Sequence, residues 1–183
     1  KPHSRFGVKS TRAEVLFIDY IMEHLKPNGR AGIIVPEGII FQTGTAYKTL
    51  RKKLIEDCLV GVISLPSGVF QPYSGVKTSI LILDKELKQK TDSIFFAKVE
   101  NDGFSLGAQR TLIKGNQLPE ISVKISEHLN GNDDDNLTIV SKGKILEDSG
   151  VSLNKSVYGE IEAFQSSSFE TYELGEICEF ING

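Results

Sequence analysis

Three histidines (His3, His24, His128) and two cysteines (Cys58, Cys178) are the residues from which hydrolytic or metal chemistry would first be built. They fall in unrelated segments, with neither zinc-ligand spacing nor a nucleophile–base arrangement. His24 sits one turn from the end of a helical pattern, where a capping or surface role fits better than catalysis. Both cysteines read as buried thiols of a reducing compartment. A phosphate cradle is missing as well: there is no G-x-G-x-x-G after a strand, no P-loop and no G-x-S-x-G elbow. The acidic run Asn130 to Asn136 lacks the alternating ligands and distant glutamate of an EF-hand loop. Chemistry of these kinds would need parts from outside these residues.

Charge is the next signal. Residues 1–90 hold 14 lysines and arginines against 8 aspartates and glutamates, and residues 91–183 hold 7 against 16. A basic half suits a polyanionic partner, because each cation placed near a phosphate releases condensed counterions. The plainer account is that Lys48, Arg51, Lys52 and Lys53 form the solvated face of one helix. Hydrophobic content of 39% and charged content of 25% are those of a chain that buries a core. No run of about 18 apolar residues suggests a membrane span, and no apolar leader follows Lys1.

The elements that would position such groups follow from periodicity. Thr11-Arg-Ala-Glu14 reads as a capping box before Val15, Leu16, Ile18, Ile21, Met22 and Leu25 at helical spacing, with Asn28-Gly29 as a left-handed C-cap. Ala31 to Val35 reads as a parallel strand covered on both faces, Thr45 to Asp57 as a helix, and Leu59 to Leu65 as a second buried strand. This order indicates a doubly wound α/β sheet. Residues 66–75 cannot be a helix, and ten residues are too few for a crossover. Val76 to Leu83 should therefore run antiparallel to the strand before it and close the sheet as a hairpin. Ile94 to Val99 predicts another strand, Asn101-Asp102-Gly103 a turn, and residues 116–129 a helix entered near Pro119. Residues 160–171 read as a linker around Ser166 to Ser168.

In this order the segments resemble the N6-adenine DNA methyltransferases, and among them the modification subunit of type I restriction–modification systems. The likeness is carried by Phe17 to Phe41 (FIDYIMEHLKPNGRAGIIVPEGIIF), Arg51 to Ile55 (RKKLI), Ile63 to Phe70 (ISLPSGVF) and Gly75 to Lys85 (GVKTSILILDK). Leu153 to Tyr158 (LNKSVY) adds a weaker match. The resemblance covers about residues 5–110. It implies the C-terminal half of a Rossmann-like S-adenosylmethionine-dependent sheet with an antiparallel closing hairpin strand, followed by a smaller α+β extension. The domain expectation is 1–90 catalytic half, 91–159 acidic extension, 160–171 linker and 172–183 the start of a further domain.

The same resemblance assigns roles. Such enzymes flip the target adenine out of the duplex and hold its amino group with an Asn/Asp-Pro-Pro-aromatic loop. The six prolines of this chain include no adjacent pair, so that loop and the cofactor turn lie elsewhere, and no catalytic residue is assigned. Phe17 is implied to line the pocket of the cofactor's adenine, although its helical spacing equally suits a core position. Phe70 is implied to stack on the flipped base, against the plainer reading of packing at a strand end. Gln71, Tyr73 and Lys77 are implied DNA contacts. Pro36 and Pro66 end strands at the carboxyl edge, where ligands bind in such folds.

Tyr172 to Gly183 (YELGEICEFING) resembles the opening of a target-recognition domain of a specificity subunit. The expected whole is therefore a cytoplasmic DNA adenine methyltransferase using S-adenosylmethionine. Its expected partners are double-stranded DNA and a specificity subunit or fused recognition domain, with a restriction subunit as a further candidate. The 183 residues alone are expected to be inactive. A non-catalytic docking piece, or a methyltransferase acting on RNA or protein, remain the alternative readings.

Overall fold

The computed structural model describes residues 6–131 and 137–158, and the linker and recognition-domain expectations lie outside them. In chain order the elements are α1 (Ala13–His24), β1 (Arg30–Pro36), α2 (Glu37–Phe41), α3 (Thr45–Asp57), β2 (Leu59–Ser64), β3 (Thr78–Asp84), β4 (Ser93–Lys98), α4 (Leu118–Leu129), β5 (Thr138–Ser141) and α5 (Lys142–Glu147). The five strands form one mixed sheet in the order β1-β3-β2-β4-β5. β3 is antiparallel to both β1 and β2, β4 is parallel to β2, and β5 is antiparallel to β4. The expected antiparallel sense of β3 is observed. Its place differs: β3 lies inside the sheet, between β1 and β2, with a ladder on each side, and so closes no edge. β4 and β5, from the stretch after residue 90, extend this same sheet.

Each face of the sheet has its own core. On one face, Val35, Val62, Leu81, Leu83 and Phe96 pack with Val15 and Ile18 of α1, Leu50 and Leu54 of α3, and Ile145 of α5. On the other, Val60, Ile63 and Phe95 meet Val69 of the β2–β3 loop and Ile121 and Ile125 of α4. β1 is not covered on both faces as its apolar sequence suggested. It has one strand neighbour among the described residues, its burial alternates, and Ile34 is exposed. A short apolar run cannot by itself distinguish an interior strand from one with a bare flank.

Two terminal signals of α1 read differently in three dimensions. The capping box does not form, because the N-cap is Arg12, without a side-chain cap, and Glu14 instead accepts a hydrogen bond from Tyr47 Oη at 3.2 Å. Nor does Asn28 or Gly29 take a left-handed conformation; α1 ends at His24 and the chain turns through a Gly29 N–H to Lys26 carbonyl bond. His24 has the expected surface role, its Nδ1 donating to the Tyr20 carbonyl and its ring stacked on Tyr20. Cys58 is a buried free thiol. No helix among the described residues is long and apolar enough to cross a membrane.

Candidate functional site

Because β1 and β2 both oppose β3 while β4 runs with β2, the carboxyl ends of β1, β2 and β4 share one edge of the sheet. Register places side chains there in a row: Val35 pairs with Ser79, Ser79 with Ser64, and Ser64 with Lys98. Open α/β sheets bind ligands at such an edge. A cavity of about 260 Å³ sits over it, with a floor of Ile40, Val62, Phe96 and Leu153. Its polar wall combines Glu37, Ser64, Lys77, Ser79 and Lys98 with Asn154, Lys155 and Ser156. Glu37 is fully engaged, its two oxygens accepting from Lys77 Nζ at 3.1 Å and Ser79 Oγ at 3.2 Å. Lys98 pairs with the exposed Glu100 at 2.6 Å; that bond, helped by Lys155, holds the Glu100 carboxyl below its ordinary range.

The segment that supplies Leu153 to Ser156 comes from far along the chain and is held just before them, at Gly150 and Val151, by Arg51. Expected as part of a solvated helix face, Arg51 is instead 0% exposed. Its guanidinium donates to the carbonyls of Val151 (2.6 Å), Ile39 (2.9 Å), Gln42 (2.6 Å) and Gly150 (2.7 Å). Five donors in a planar fork suit such a convergence of carbonyls. Burial lowers its pKa to about 10, so it stays charged at neutral pH. Lys53 is also drawn inward, to the buried Asp19 at 2.6 Å. Asp19 in turn accepts from the Gly7 and Val8 N–H groups and fixes the segment before α1. Sequence spacing contained the Arg51 signal: positions 47, 50, 51, 54 and 55 share one stripe of α3, and four of them are apolar or aromatic.

The β2–β3 loop stands at the same edge. Gly68 takes φ +79°, Gln71–Pro72 is a cis bond, and the Tyr73 and Ser74 N–H groups both donate to the Phe70 carbonyl at 2.9 Å. Arg110 holds the loop from outside, donating to the Gly68 carbonyl at 2.9 Å while paired with Asp102. Within this frame Phe70 is 37% exposed and Tyr73 95% exposed. Gln71 accompanies them, whereas Lys77 turns to Glu37 in the cavity. Phe17 belongs elsewhere. It is 68% exposed on α1 and lines an apolar hollow of about 280 Å³ with Phe6, Ala13, Leu16 and Tyr20, so the described residues do not bury it as helix core. Lys98, Lys155 and Glu37 were not legible as site residues, because only strand register and the Arg51 anchor bring them together. Among the described residues no His, Cys, Asp and Glu cluster could hold a metal ion.

Known proteins resemble this chain in sequence and in fold. The chain is 42% identical over 82 residues to the methylase subunit of the type I restriction enzyme EcoEI from Escherichia coli, covering 44% of this chain and 16% of that one. It superposes with a TM-score of 0.65 and 26% identity on a chain from a structure concerned with complex assembly and conformational transition of the type I R-M system, covering 81% of this chain and 32% of that one. The methyltransferase subunit of the type I restriction–modification system from Streptococcus thermophilus superposes with a TM-score of 0.61 and 25% identity, covering 81% and 31%. This chain thus spans about a sixth of that curated relative and about a third of those solved chains. Residues 3–166 match the N-6 DNA Methylase family, and the chain belongs to that family.

Proposed function

We propose that this chain is the part of a type I modification subunit that receives the target base, within an enzyme moving a methyl group from S-adenosylmethionine to adenine N6 in double-stranded DNA. In this reading the five-stranded sheet is the C-terminal half of a Rossmann-like domain. The enzyme works in the cytoplasm with a specificity subunit or a fused target-recognition domain, and a restriction subunit is a further partner. The observation that carries the reading is the exposed Phe70–Tyr73 loop at the strand ends of a chain of this family.

Each residue's part follows from its surroundings. Phe70 stacks on the flipped adenine, an aromatic–base contact worth about 1–3 kcal/mol. Tyr73 and Gln71 contact the DNA around the vacated position, and Lys77, oriented by Glu37, contacts it from the cavity side. Phe17 and its apolar hollow suit the adenine ring of S-adenosylmethionine, which supplies the electrophilic methyl group; the hollow offers nothing for the charged end of that molecule. The loop that would grip the amino group is not in this sequence, so the 183 residues by themselves transfer no methyl group.

The test is transfer of labelled methyl from S-adenosylmethionine by the full-length subunit assembled with its specificity partner. Phe70→Ala is expected to lower transfer to DNA by about 5- to 150-fold, the rate equivalent of one stacking contact. A full-length protein that binds DNA but transfers nothing would turn the reading to a docking piece. Methyl groups arriving in RNA or protein in place of DNA would sink it.

A further inference from the structure

We propose that the cavity over the ends of β1, β2 and β4 holds a phosphate group of a DNA strand, with Lys155 as its principal cation and Lys98 beside it. This rests on the DNA-methyltransferase reading and adds to it a backbone contact outside the base-stacking loop. The cations of this edge are not equivalent. Lys77 is committed to Glu37 and Lys98 to Glu100, whereas Lys155 forms no ion pair among the described residues and acts on Glu100 only through space. Lys155 lines both this cavity and the adjoining groove that runs past Gln117 to α4. Lys98 lines both as well, so the two cations stand together where the cavity meets the groove.

The backbone carrying it is held on both sides. Arg51 binds the Gly150 and Val151 carbonyls, and the Leu153 N–H donates to the Ile40 carbonyl at 2.8 Å. Asn154 Oδ1 accepts from the Ser156 N–H and Oγ, and Tyr158 Oη donates to the Ser152 carbonyl at 2.6 Å. A cation on a fixed backbone gives up less freedom on binding than one on a loose loop. The Ser64 hydroxyl, in register with Lys98, adds a neutral donor on the same wall. At about 260 Å³ the space exceeds by several-fold the ~30 Å³ share of one water, enough for a phosphate and part of its sugar. Both lysines come from the acidic half of the sequence, so the inference does not follow from the charge balance of residues 1–90.

Binding of a labelled DNA duplex by the chain, measured over a range of salt, tests this against Lys155→Ala, Lys98→Ala, Lys155→Arg and, as control, Lys52→Ala on the exposed side of α3. Circular dichroism confirms folding of each variant. Lys155→Ala is expected to weaken binding by about three- to tenfold and to lower the salt slope by about one, uniformly across DNA sequences. Lys98→Ala should do less, and Lys155→Arg should restore both quantities. Unchanged affinity and slope in Lys155→Ala, with wild type binding DNA, would overturn the site while leaving the methyltransferase reading intact. Titration with inorganic phosphate separates the two sources of the same chemistry. A chain that takes free phosphate at Lys155 but no duplex would remove DNA as the ligand, and binding of neither probe would overturn the proposal. Methyl transfer to DNA by the full-length subunit decides the underlying reading independently.

Discussion

Arg51 Nε donates to the Val151 carbonyl at 2.6 Å, joining α3 to a segment 100 positions further along the chain. Val151 has φ +47°, a conformation that a β-branched residue rarely adopts, and the guanidinium bonds to it and to Gly150 hold it there. One buried side chain thus anchors the start of the segment that lines the strand-end cavity.

Arg51→Met removes the guanidinium that donates to four main-chain carbonyls. Buried carbonyls left without partners cost about 1–3 kcal/mol each before relaxation, so a total loss of roughly 3 kcal/mol or more is expected in urea unfolding. Hydrogen exchange should rise first in residues 150–158. Equal stability of Arg51→Met and wild type would show that the segment is held by its apolar contacts alone.

Gly61 opposes Phe95 on the parallel neighbour strand, and an added Cβ would stand 2.0 Å from the Phe95 ring. Phe95 is buried against Val60 and Ile63 and has little space to retreat. Gly61→Ala is expected to cost about 1–3 kcal/mol through overpacking. The double variant Gly61→Ala with Phe95→Leu should recover part of that loss in thermal unfolding; no recovery would place the strain in the backbone instead.

Burial pushes the Cys58 thiol up to about 12, so almost no thiolate exists at neutral pH. In a Cys178→Ser chain, Cys58 should react with a thiol reagent only as fast as the fold opens, and denaturant should accelerate the reaction steeply. Rapid labelling under native conditions would contradict the packing of α3 on β2.

Asp148 Oδ2 accepts from the Ser152 N–H at 2.8 Å and from Tyr158 Oη at 3.4 Å. The Ser152 bond is the main reason its pKa lies below the ordinary 3.8. A carboxyl depressed in the folded state adds stability that is complete above 3.8 and is lost as pH falls from there through the folded value. Asp148→Asn should therefore narrow its stability gap to wild type below that pH, as read by urea midpoints on either side of it. A gap independent of pH would mean that the charge state of Asp148 contributes nothing.

Much of the architecture was legible before folding. The helix of Thr45–Asp57, the strands after it, the helix entered at Pro119 and the antiparallel sense of β3 all followed from periodicity and from a connection too short to cross over. Phe70, Gln71 and Tyr73 were adjacent in sequence and remain together on one pinned loop. Glu37–Phe41 and Thr138–Ser141 escaped notice because a single helical turn and a four-residue strand carry too little period to register. The Thr11–Glu14 box was locally sound, and lost to Tyr47 only once α1 lay on α3.

The sequence by itself determined the family likeness, the order and type of the longer elements, and the absence of an adjacent proline pair. These depend on residue types and spacings within a few turns of chain. Only the tertiary structure decided that β3 runs between β1 and β2, that Arg51 is buried, and that Glu37, Ser64, Lys98 and Lys155 share one cavity. Those outcomes depend on ladder hydrogen bonds and on a guanidinium meeting distant carbonyls, and no local pattern encodes which distant partner satisfies a buried polar group.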